Sequence, residues 1–235
     1  MLQKIIPEKY HRKVYSLKQK VLGLYYTKSY SQEGEDLILN RFFYGQQIGF
    51  YVDIGAHHPF RFSNTYHFYK KGWRGINIDA MPGSMKPFKQ NRNRDINLEI
   101  AISNNPQELT YYSFEEPAIN GFDRELSEYR IRQGEKLIEE KTIQCYRLDS
   151  VLDQYMPTSC TIDFMSIDVE GLDIAILESN NWEKYSPKIV VIECLGSDFM
   201  SVQASSVYQF LVKKKYTLLA KTINTCIFSL HPTNA

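Results

Sequence analysis

Short apolar runs alternate along the middle of this chain with stretches in which apolar residues recur at helical spacing. The short runs predict buried strands, and the longer periodicity predicts helices that bury one face. The pattern predicts strands over 50–54, 75–79 and 96–102, with helices over 63–71 and 84–92 between them. Strands that alternate with helices of this length predict an α/β fold with a parallel sheet and right-handed crossovers.

The second half of the chain departs from this alternation and then returns to it. A strand is predicted over 108–114, and residues 115–141 form a charged, polar stretch. A polar insertion of this length inside a domain is usually a lid or a disordered loop, and its position makes it a candidate substrate cover. The remaining predicted elements are strands over 142–148, 164–169 and 188–193, a helix over 149–155, and a closing antiparallel hairpin of 216–221 and 225–230.

Acidic residues and a glycine stand where the first two predicted strands end. Asp53 and Gly55 close the first strand, and Asp79 closes the second. Open α/β sheets bind ligands at the carboxyl ends of their strands, where an acid after the second strand accepts hydrogen bonds from ribose hydroxyls. A lone glycine after a strand is more often only a turn, but its pairing with Asp79 predicts a nucleotide-like site.

A second acidic cluster follows the strand predicted over 164–169. Asp168 and Glu170 stand at its carboxyl end, and Glu193 ends the next predicted strand. Two carboxylates at a strand end can share a cation, or one of them can act as a general base. The structural alternative is that Asp173 caps the following helix and that Glu170 is only solvated.

An acidic helix is predicted ahead of the first strand. Ser31 is its expected N-cap, and its expected buried face consists of Leu37, Ile38 and Phe42. Glu35 in its first turn either complements the helix dipole or reaches a ligand cation, which would make it a cofactor contact.

The net charge of +1 hides an asymmetry along the chain. Residues 1–28 carry seven cations and one anion, a net charge of +6, which leaves −5 for the rest. Apolar residues at helical spacing predict a basic amphipathic arm over residues 1–30. Such an arm can rest on an anionic membrane surface, engage an acidic partner, or pack on its own domain, and its narrow apolar stripe favours the last.

Composition predicts one sizeable soluble domain, since 43% of the 235 residues are apolar and 23% are charged. The four cysteines lie far apart without metal-ligand spacing, so free buried thiols are expected rather than disulfides or zinc. No apolar stretch approaches the roughly 20 residues that span a bilayer, and the first residues lack the apolar core of a signal peptide. These features predict a cytoplasmic protein, with peripheral contact at the inner membrane surface through the arm as the alternative.

Five stretches of the sequence carry a more specific pattern. They are SQEGED at 31–36, VDIGAHHPFRFSNT at 52–65, GWRGINIDAMP at 72–82, RLDSVL at 147–152 and FMSIDVEGLD at 164–173. In this order they resemble the FkbM family of S-adenosylmethionine-dependent methyltransferases, and the likeness covers nearly everything from Ser31 to Glu193.

The resemblance implies the class I methyltransferase fold. This is a Rossmann-like α/β architecture whose seven-stranded, mostly parallel sheet has helices on both faces and an antiparallel last strand. It divides the chain into the basic arm, residues 1–30, and a methyltransferase domain, residues 31–235, with the lid insertion at 115–141.

The resemblance also implies a site for S-adenosylmethionine. Asp79 would bind the ribose, and Asp168 would face the position of methyl transfer. The other residues implied are Asp53, Gly55 and Ala56 at the methionine end, Ala80 and Met81 beside the adenine, and Ala101 and Ile102 in the adenine pocket. General class I enzymes carry several glycines in the first turn, whereas here close approach of the backbone rests on Gly55 alone.

The implied reaction is in-line attack of a substrate oxygen on the sulfonium methyl group, with donor and acceptor held nearly in contact. A sugar hydroxyl is a poor nucleophile near neutral pH, so a base or a metal ion is expected. Asp168 is the first candidate base, and His57 and His58 are either rival bases or turn residues bonded to the backbone. A magnesium-type ion held by Asp168, Glu170 and Glu193 would suit oxygen ligation.

We expect the acceptor to be a hydroxyl of a saccharide, a glycolipid or a related small molecule. Methylation of nucleic acid through the basic arm is one alternative, and a non-catalytic S-adenosylmethionine-binding module is another. A Rossmann dehydrogenase is disfavoured because the chain lacks the G-x-G-x-x-G turn that a pyrophosphate needs.

Overall fold

The computed structural model describes residues 26–196 and 198–230. Residues 1–25, which make up most of the predicted basic arm, lie outside this range. Among the described residues, no helix combines the length and the apolar character needed to cross a membrane.

Seven strands of the described chain form the central sheet. In spatial order they are β3 (Ile96–Glu99), β2 (Arg74–Asp79), β1 (Phe50–Ile54), β7 (Phe164–Ile167), β8 (Ile189–Glu193), β10 (Thr225–Ser229) and β9 (Thr217–Lys221). The pairing is parallel from β3 to β8, and β10 runs antiparallel to both of its neighbours. The predicted mostly parallel sheet with an antiparallel last strand is therefore confirmed, as is the closing hairpin.

Helices follow the strands as the periodicity predicts, most of them with shorter bounds. They are α1 (Glu35–Phe42), α2 (Tyr66–Lys70), α3 (Met85–Asn91), α4 (Arg124–Arg132), α5 (Leu148–Tyr155), α6 (Asp173–Ser179), α7 (Phe199–Ala204) and α8 (Ser206–Lys213).

Apolar side chains pack on both faces of the sheet because successive residues of a strand point to opposite sides. In β1, Val52 and Ile54 belong to one buried cluster, together with Leu152 and Leu211 from the helices. Tyr51 belongs to the other cluster, with Leu39 of α1 and Phe68 of α2. Helices thus cover both faces of the sheet, as the α/β pattern predicts.

The prediction of a single strand over 96–102 is wrong. This segment divides at Ile100 into β3 and a two-residue strand, β4 (Ala101–Ile102). β3 pairs with β2 only as far as Glu99, opposite Asp79, because β2 ends there. β4 joins a second, three-stranded sheet of described residues with β6 (Leu137–Tyr146) and β5 (Gln107–Phe114).

The insertion predicted over 115–141 has regular structure, so the disordered-loop interpretation is wrong. A short 3-10 turn, Pro117–Ile119, precedes α4. The Asp123 carboxylate caps α4 by accepting a hydrogen bond from the Leu126 N–H at 2.9 Å. Residues from Leu137 onward pair with β5, so β6 begins earlier than predicted. A role for the insertion as a lid stays a prediction.

The start of α1 also differs from the prediction. The N-cap is Gly34, which has a left-handed φ of 91°, and not Ser31. The Ser31 hydroxyl accepts from the Asp36 N–H at 3.2 Å and donates to the Asp36 carboxylate at 2.9 Å, so it still satisfies a helix N–H. The buried side chains of α1 are Glu35, Asp36 and Leu39, whereas the predicted Leu37, Ile38 and Phe42 are half-buried.

The cysteines are free thiols, in agreement with their wide spacing. Cys145, Cys194 and Cys226 are buried, and Cys160 is half-buried.

Candidate active site

A cavity of about 340 Å³ opens at the carboxyl ends of the parallel strands. Its walls include Gly55 after β1, Asp79 at the end of β2, Asp168 after β7 and Glu193 at the end of β8. This is where open α/β sheets bind ligands. The volume falls at the lower end of the range of about 300–1,000 Å³ that small-molecule sites occupy.

Most of the residues proposed from the sequence line this cavity. Those that do are Glu35, Gly55, His57, Asp79, Ala80, Met81, Ile102, Asp168, Glu170 and Glu193. Those that do not are Asp53, Ala56, His58 and Ala101.

Gly55 lies where the ends of β1 and β7 pass in contact. It has a left-handed φ of 79°, and a Cβ built on it would lie 1.6 Å from the backbone oxygen of Asp168. Its N–H donates to the Ile78 carbonyl at 3.0 Å, and the Asp168 N–H donates to the Ile54 carbonyl at 3.0 Å. The single glycine of this turn is therefore required by the close packing of three strand ends.

Asp79 is buried and orients the two loops around it. One carboxylate oxygen accepts from the His57 N–H at 2.8 Å, and the other accepts from the Met81 N–H at 2.8 Å. Burial raises the pKa of Asp79, while these two backbone hydrogen bonds lower it. Each oxygen keeps a second lone pair, so the carboxylate can accept hydrogen bonds from two further hydroxyls.

Beyond Asp79 the cavity becomes largely apolar. This part of its wall is formed by Ala80, Met81, Ile100, Ile102 and Tyr111. Asn120 of the insertion closes one side, since its amide nitrogen lies 3.3 Å from the Met81 sulfur and its oxygen accepts from the Phe114 N–H at 2.7 Å. A slot with apolar walls and a polar edge suits a planar heteroaromatic ring.

The opposite end of the cavity is acidic. Oxygens of Asp168, Glu170 and Glu193 all lie within 4.8 Å of one another, so the structure brings this predicted trio together. Desolvation in the cavity, followed by the charges of Glu193 and Glu170, raises the pKa of Asp168 to about 8. Burial and the charge of Glu170 raise the pKa of Glu193 to about 7.

Arg130 of the insertion helix α4 neutralises part of this acidic group. Its guanidinium forms an ion pair with Glu170 at 2.5 Å and donates to the Ile119 carbonyl at 2.6 Å. Glu170 has a left-handed φ of 53°, so an unusual backbone conformation accompanies this pair.

Glu33 and Glu35 bring the start of α1 to the same acidic wall. Glu35 is buried and accepts a hydrogen bond from the Glu33 N–H at 2.9 Å. The Glu33 carboxylate in turn accepts from the Thr222 hydroxyl at 2.5 Å and the Asn224 N–H at 2.9 Å, across the β9–β10 turn. The acidic first turn therefore faces the cavity.

The two histidines of the first turn differ in position. His57 lines the cavity with a left-handed φ of 52°, and its Nε2 is buried without a hydrogen-bond partner among the described residues. Burial and, after it, Arg61 lower the pKa of His57. His58 Nδ1 accepts from the N–H groups of Phe60 and Arg61, each at 3.1 Å, so His58 shapes the turn and is not positioned as a base.

Strand alternation explains why Asp53 lies outside the cavity. Its side chain points to the face opposite Ile54, where it accepts from the Thr65 hydroxyl at 2.7 Å. Arg92, fully buried, donates to the same hydroxyl at 2.8 Å. Burial raises the pKa of Asp53, and its hydrogen bond with Thr65 lowers it. Asp53 thus supports the first turn from behind and does not contact a ligand in the cavity.

Ala56 and Ala101 are displaced from the cavity for similar reasons. Ala56 packs against Met85 and Phe88 of α3. Ala101 lies between Ile100 and Ile102, which both line the cavity, so its side chain points away.

Several lining residues were missed by the sequence reasoning. They include Tyr111 in β5, Arg130 in α4, and Asn224 in the β9–β10 turn. None of the three belongs to a recognisable motif. Arg130 lies within the insertion that was predicted as a candidate cover, whereas Tyr111 and Asn224 reach the cavity through the arrangement of the second sheet and the hairpin.

Residues 53–218 match the family described as the methyltransferase FkbM domain. A search of curated proteins finds no significant match.

Solved structures with a similar chain trace are methyltransferases of low sequence identity. A TehB-like SAM-dependent methyltransferase from Corynebacterium glutamicum is 10% identical, with coverage of 94% of this chain and 99% of its own and a TM-score of 0.39. A precorrin-6y C5,15-methyltransferase from Geobacter metallireducens is 10% identical, with coverage of 86% and 91% and a TM-score of 0.40. The N-terminal domain of human METTL16 in complex with SAH is 11% identical, with coverage of 84% and 67% and a TM-score of 0.38. Likenesses at these TM-scores bear on neither the substrate nor the mechanism.

The family match extends over well more than half of the chain and includes both strand ends that build the cavity, Asp53–Gly55 and Asp168–Gly171. It agrees with the strand order of the central sheet and with the five stretches that resemble the family. This chain therefore belongs to the FkbM family of S-adenosylmethionine-dependent methyltransferases.

Proposed function

We propose that this enzyme transfers a methyl group from S-adenosylmethionine to a hydroxyl of a saccharide, a glycolipid or a related small molecule. The observation that carries the proposal is the position of Asp168, which follows β7, lines the cavity, and has a carboxylate oxygen within 4.8 Å of oxygens of Glu170 and Glu193. Desolvation and these neighbouring charges raise its pKa to about 8. A general base is most effective when its pKa lies near the working pH, and a hydroxyl acceptor needs such a base.

The residues of the cavity fit the methyl donor. The two free lone pairs of Asp79 suit the ribose hydroxyls, and the apolar slot beyond it suits the adenine. Bound S-adenosylmethionine supplies an electrophilic methyl group on a positively charged sulfur. The carboxylates of Glu35 and Asp168 complement that charge and the charge of the amino group.

Asp168 has the position and the acidity to take the proton of the acceptor. It lines the cavity, and one of its carboxylate oxygens lies within 4.8 Å of oxygens of Glu170 and Glu193. A positive charge nearby lowers the pKa of a carboxyl group, so the ionised fraction of Asp168 rises when the donor site is filled. His57 is the rival base, because it lines the same cavity, its buried Nε2 has no hydrogen-bond partner among the described residues, and burial lowers its pKa.

A divalent cation at the acidic trio is the second way to activate a hydroxyl. Oxygens of all three carboxylates are close enough to share an ion. Arg130 already forms an ion pair with Glu170, however, and its positive charge disfavours a second cation in the same place. We therefore favour proton transfer to Asp168 over metal activation.

The charge of the cavity also argues against a nucleic-acid acceptor. Among the described residues, six carboxyl groups line it, those of Glu33, Glu35, Asp79, Asp168, Glu170 and Glu193, against the single guanidinium of Arg130. A negative wall repels phosphates at close range. The electrostatic attraction for nucleic acid would have to come from the basic arm alone. The positive charge of this arm suits contact with an anionic membrane surface as well as it suits contact with nucleic acid.

A methyl-transfer assay with isotopically labelled S-adenosylmethionine tests the proposal. The acceptor panel would contain neutral oligosaccharides, glycolipids and single-stranded nucleic acid, each with and without EDTA. We expect label in a hydroxyl-bearing sugar, insensitivity to EDTA, and a loss of about 100-fold or more in kcat for Asp168→Asn. No binding of S-adenosylmethionine by calorimetry would refute the proposal, and label only in nucleic acid would refute the acceptor class.

A further inference from the structure

Four strongly exposed apolar side chains belong to the two segments that reach the cavity wall at Leu195 and Asn224. They are here called the apolar rim and are between 66% and 79% exposed: Leu195, Phe199, Met200 and Ile223. Apolar side chains exposed singly are ordinary, whereas a group of them beside a ligand cavity is typical of a binding surface.

One cation holds two parts of the rim together. The Lys221 ammonium donates to the carbonyl of Cys194 at 3.3 Å and to the carbonyl of Ile223 at 2.8 Å. The residue before Leu195 is thereby tied to the β9–β10 turn. Leu195 itself lines the cavity, as does Asn224, which follows Ile223. The rim therefore begins at the cavity wall.

The other two members of the rim lie at the start of α7. A Cβ on Gly196 would lie 2.9 Å from the Ser201 hydroxyl, so the loop after Leu195 packs directly on the first turn of this helix. A capping box between Asp198 and Ser201 defines the helix start, with the Ser201 N–H donating to the Asp198 carboxylate at 2.9 Å. Phe199 and Met200 thus belong to the helix turn on which the segment after Leu195 packs, and both side chains remain exposed.

The molecule that must occupy this mouth is the methyl acceptor. Its polar part finds partners inside, where carboxylates form the wall. Outside, the rim offers apolar contact, and the ammonium of Lys221 is already engaged by three carbonyl oxygens, those of Cys194, Thr222 and Ile223. Polar recognition inside and apolar contact at the mouth together match a molecule with a polar head and an apolar chain.

On the basis of the proposed function, we infer that the acceptor is amphipathic: its hydroxyl-bearing head enters the cavity, and its alkyl or polyprenyl chain lies on the apolar rim. This inference selects lipid-linked acceptors from the wider class of saccharides and small molecules. Free, fully polar sugars would leave the rim uncovered.

A pair of probes that differ only in the chain tests this inference. Methyl β-D-glucoside and n-octyl β-D-glucoside, the latter below its micelle concentration, would be titrated into the full-length protein saturated with S-adenosylhomocysteine. We expect the octyl compound to bind at least about tenfold more tightly, since each methylene removed from water contributes roughly a factor of four.

Substitutions in the apolar rim test whether the alkyl chain of the octyl compound lies there. Phe199→Ser and Ile223→Ser should each reduce the preference for the octyl compound at least about threefold, while the affinity for S-adenosylmethionine stays unchanged. The matched controls are Tyr44→Ser and Ile48→Ser, because these side chains are 84% and 82% exposed but lie between α1 and β1, at the opposite end of the sheet.

The outcomes separate failure of the amphipathic acceptor from failure of the proposed methyltransferase function. Equal binding of the two glucosides, a preference that survives both rim substitutions, or an equal loss in the controls would overturn the amphipathic acceptor. In all of these cases an intact affinity for S-adenosylmethionine leaves the methyltransferase assignment standing. If the wild-type protein binds no S-adenosylmethionine, the proposed function itself fails.

Discussion

The α-carbon of Gly55 faces the backbone carbonyl of Asp168 so closely that a Cβ on Gly55 would lie 1.6 Å from the carbonyl oxygen. This contact joins the two strand ends that carry the cavity, and neither backbone can move away without breaking the hydrogen bonds of the sheet. The relationship makes the glycine a structural requirement of the site.

Gly55→Ala should therefore disrupt the fold around the site. The substitution combines a backbone clash with a positive φ, and we expect a loss of at least about 3 kcal/mol in the free energy of unfolding, with loss of S-adenosylmethionine binding. Gly72→Ala is the control, because Gly72 also has a positive φ but open space around it. It should cost only about 1–2 kcal/mol, as measured by urea denaturation. Equal costs for the two substitutions would contradict the contact.

Asp79→Asn should weaken binding of S-adenosylmethionine by at least about tenfold. An amide has one acceptor oxygen, so it cannot serve both the His57 and the Met81 N–H groups and also two ribose hydroxyls. Calorimetry measures the change. Glu99→Gln removes a charge at the exposed end of the neighbouring strand and should leave the affinity unchanged. An undiminished affinity of the Asp79→Asn protein would remove Asp79 from the site.

Asp168 should make the folded protein less stable as the pH rises. Its pKa is raised from 3.8 to about 8, so the folded state holds the proton more tightly than the unfolded state. The stabilising contribution is complete below about pH 4 and is lost progressively as the pH rises toward 8.

Asp168→Asn removes this titration, so the variant should gain stability relative to the wild type between pH 5 and pH 8. We expect a gain of about 1 kcal/mol, because solvent in the cavity screens the charges. Urea unfolding of both proteins at several pH values measures it. Asp153→Asn is the control, since Lys184 lowers the pKa of Asp153 and its contribution changes only at lower pH. A constant difference between wild type and Asp168→Asn would show that Asp168 is ionised throughout.

Arg130→Gln should destabilise the insertion and alter the acidic wall. It leaves the Glu170 carboxylate beside Asp168 and Glu193 without its counter-ion, at a cost of about 1–3 kcal/mol. Because Arg130 also lowers the pKa of Glu193, that pKa should rise, which NMR titration can follow. Arg132→Gln on the same helix changes an exposed side chain and should stay within about 0.5 kcal/mol. The same loss in both variants would assign the effect to helix α4 and not to the pair.

Local patterns in the sequence were sufficient for the strands and for the acids at their ends. β1 has the predicted bounds, and Asp79 and Asp168 lie at the carboxyl ends of the strands as expected. A strand that is buried on both faces consists of a continuous apolar run. Ligand-binding residues at the end of a strand follow that run directly, so both features can be recognised from neighbouring residues.

The direction in which an individual side chain points does not follow from the local sequence pattern. Asp53 and Ala101 stand beside residues that line the cavity, yet both point to the other face because strands alternate. His58 turns inward to accept two backbone N–H groups of its own loop. In a strand, a shift of one residue therefore decides whether a side chain contacts the ligand or packs behind the cavity wall.

The alternation of strands and helices, the family, and the acids at the strand ends all follow from the order of residues along the chain. The contacts between distant segments became visible in the folded chain: Glu33 accepts a hydrogen bond from Asn224 in the β9–β10 turn, Arg130 pairs with Glu170, and Lys221 joins the carbonyls of Cys194 and Ile223. The physical reason is distance along the chain. Contacts within a few residues follow from periodicity, whereas contacts across many residues depend on strand order, crossover geometry and the docking of the insertion, which no local pattern encodes.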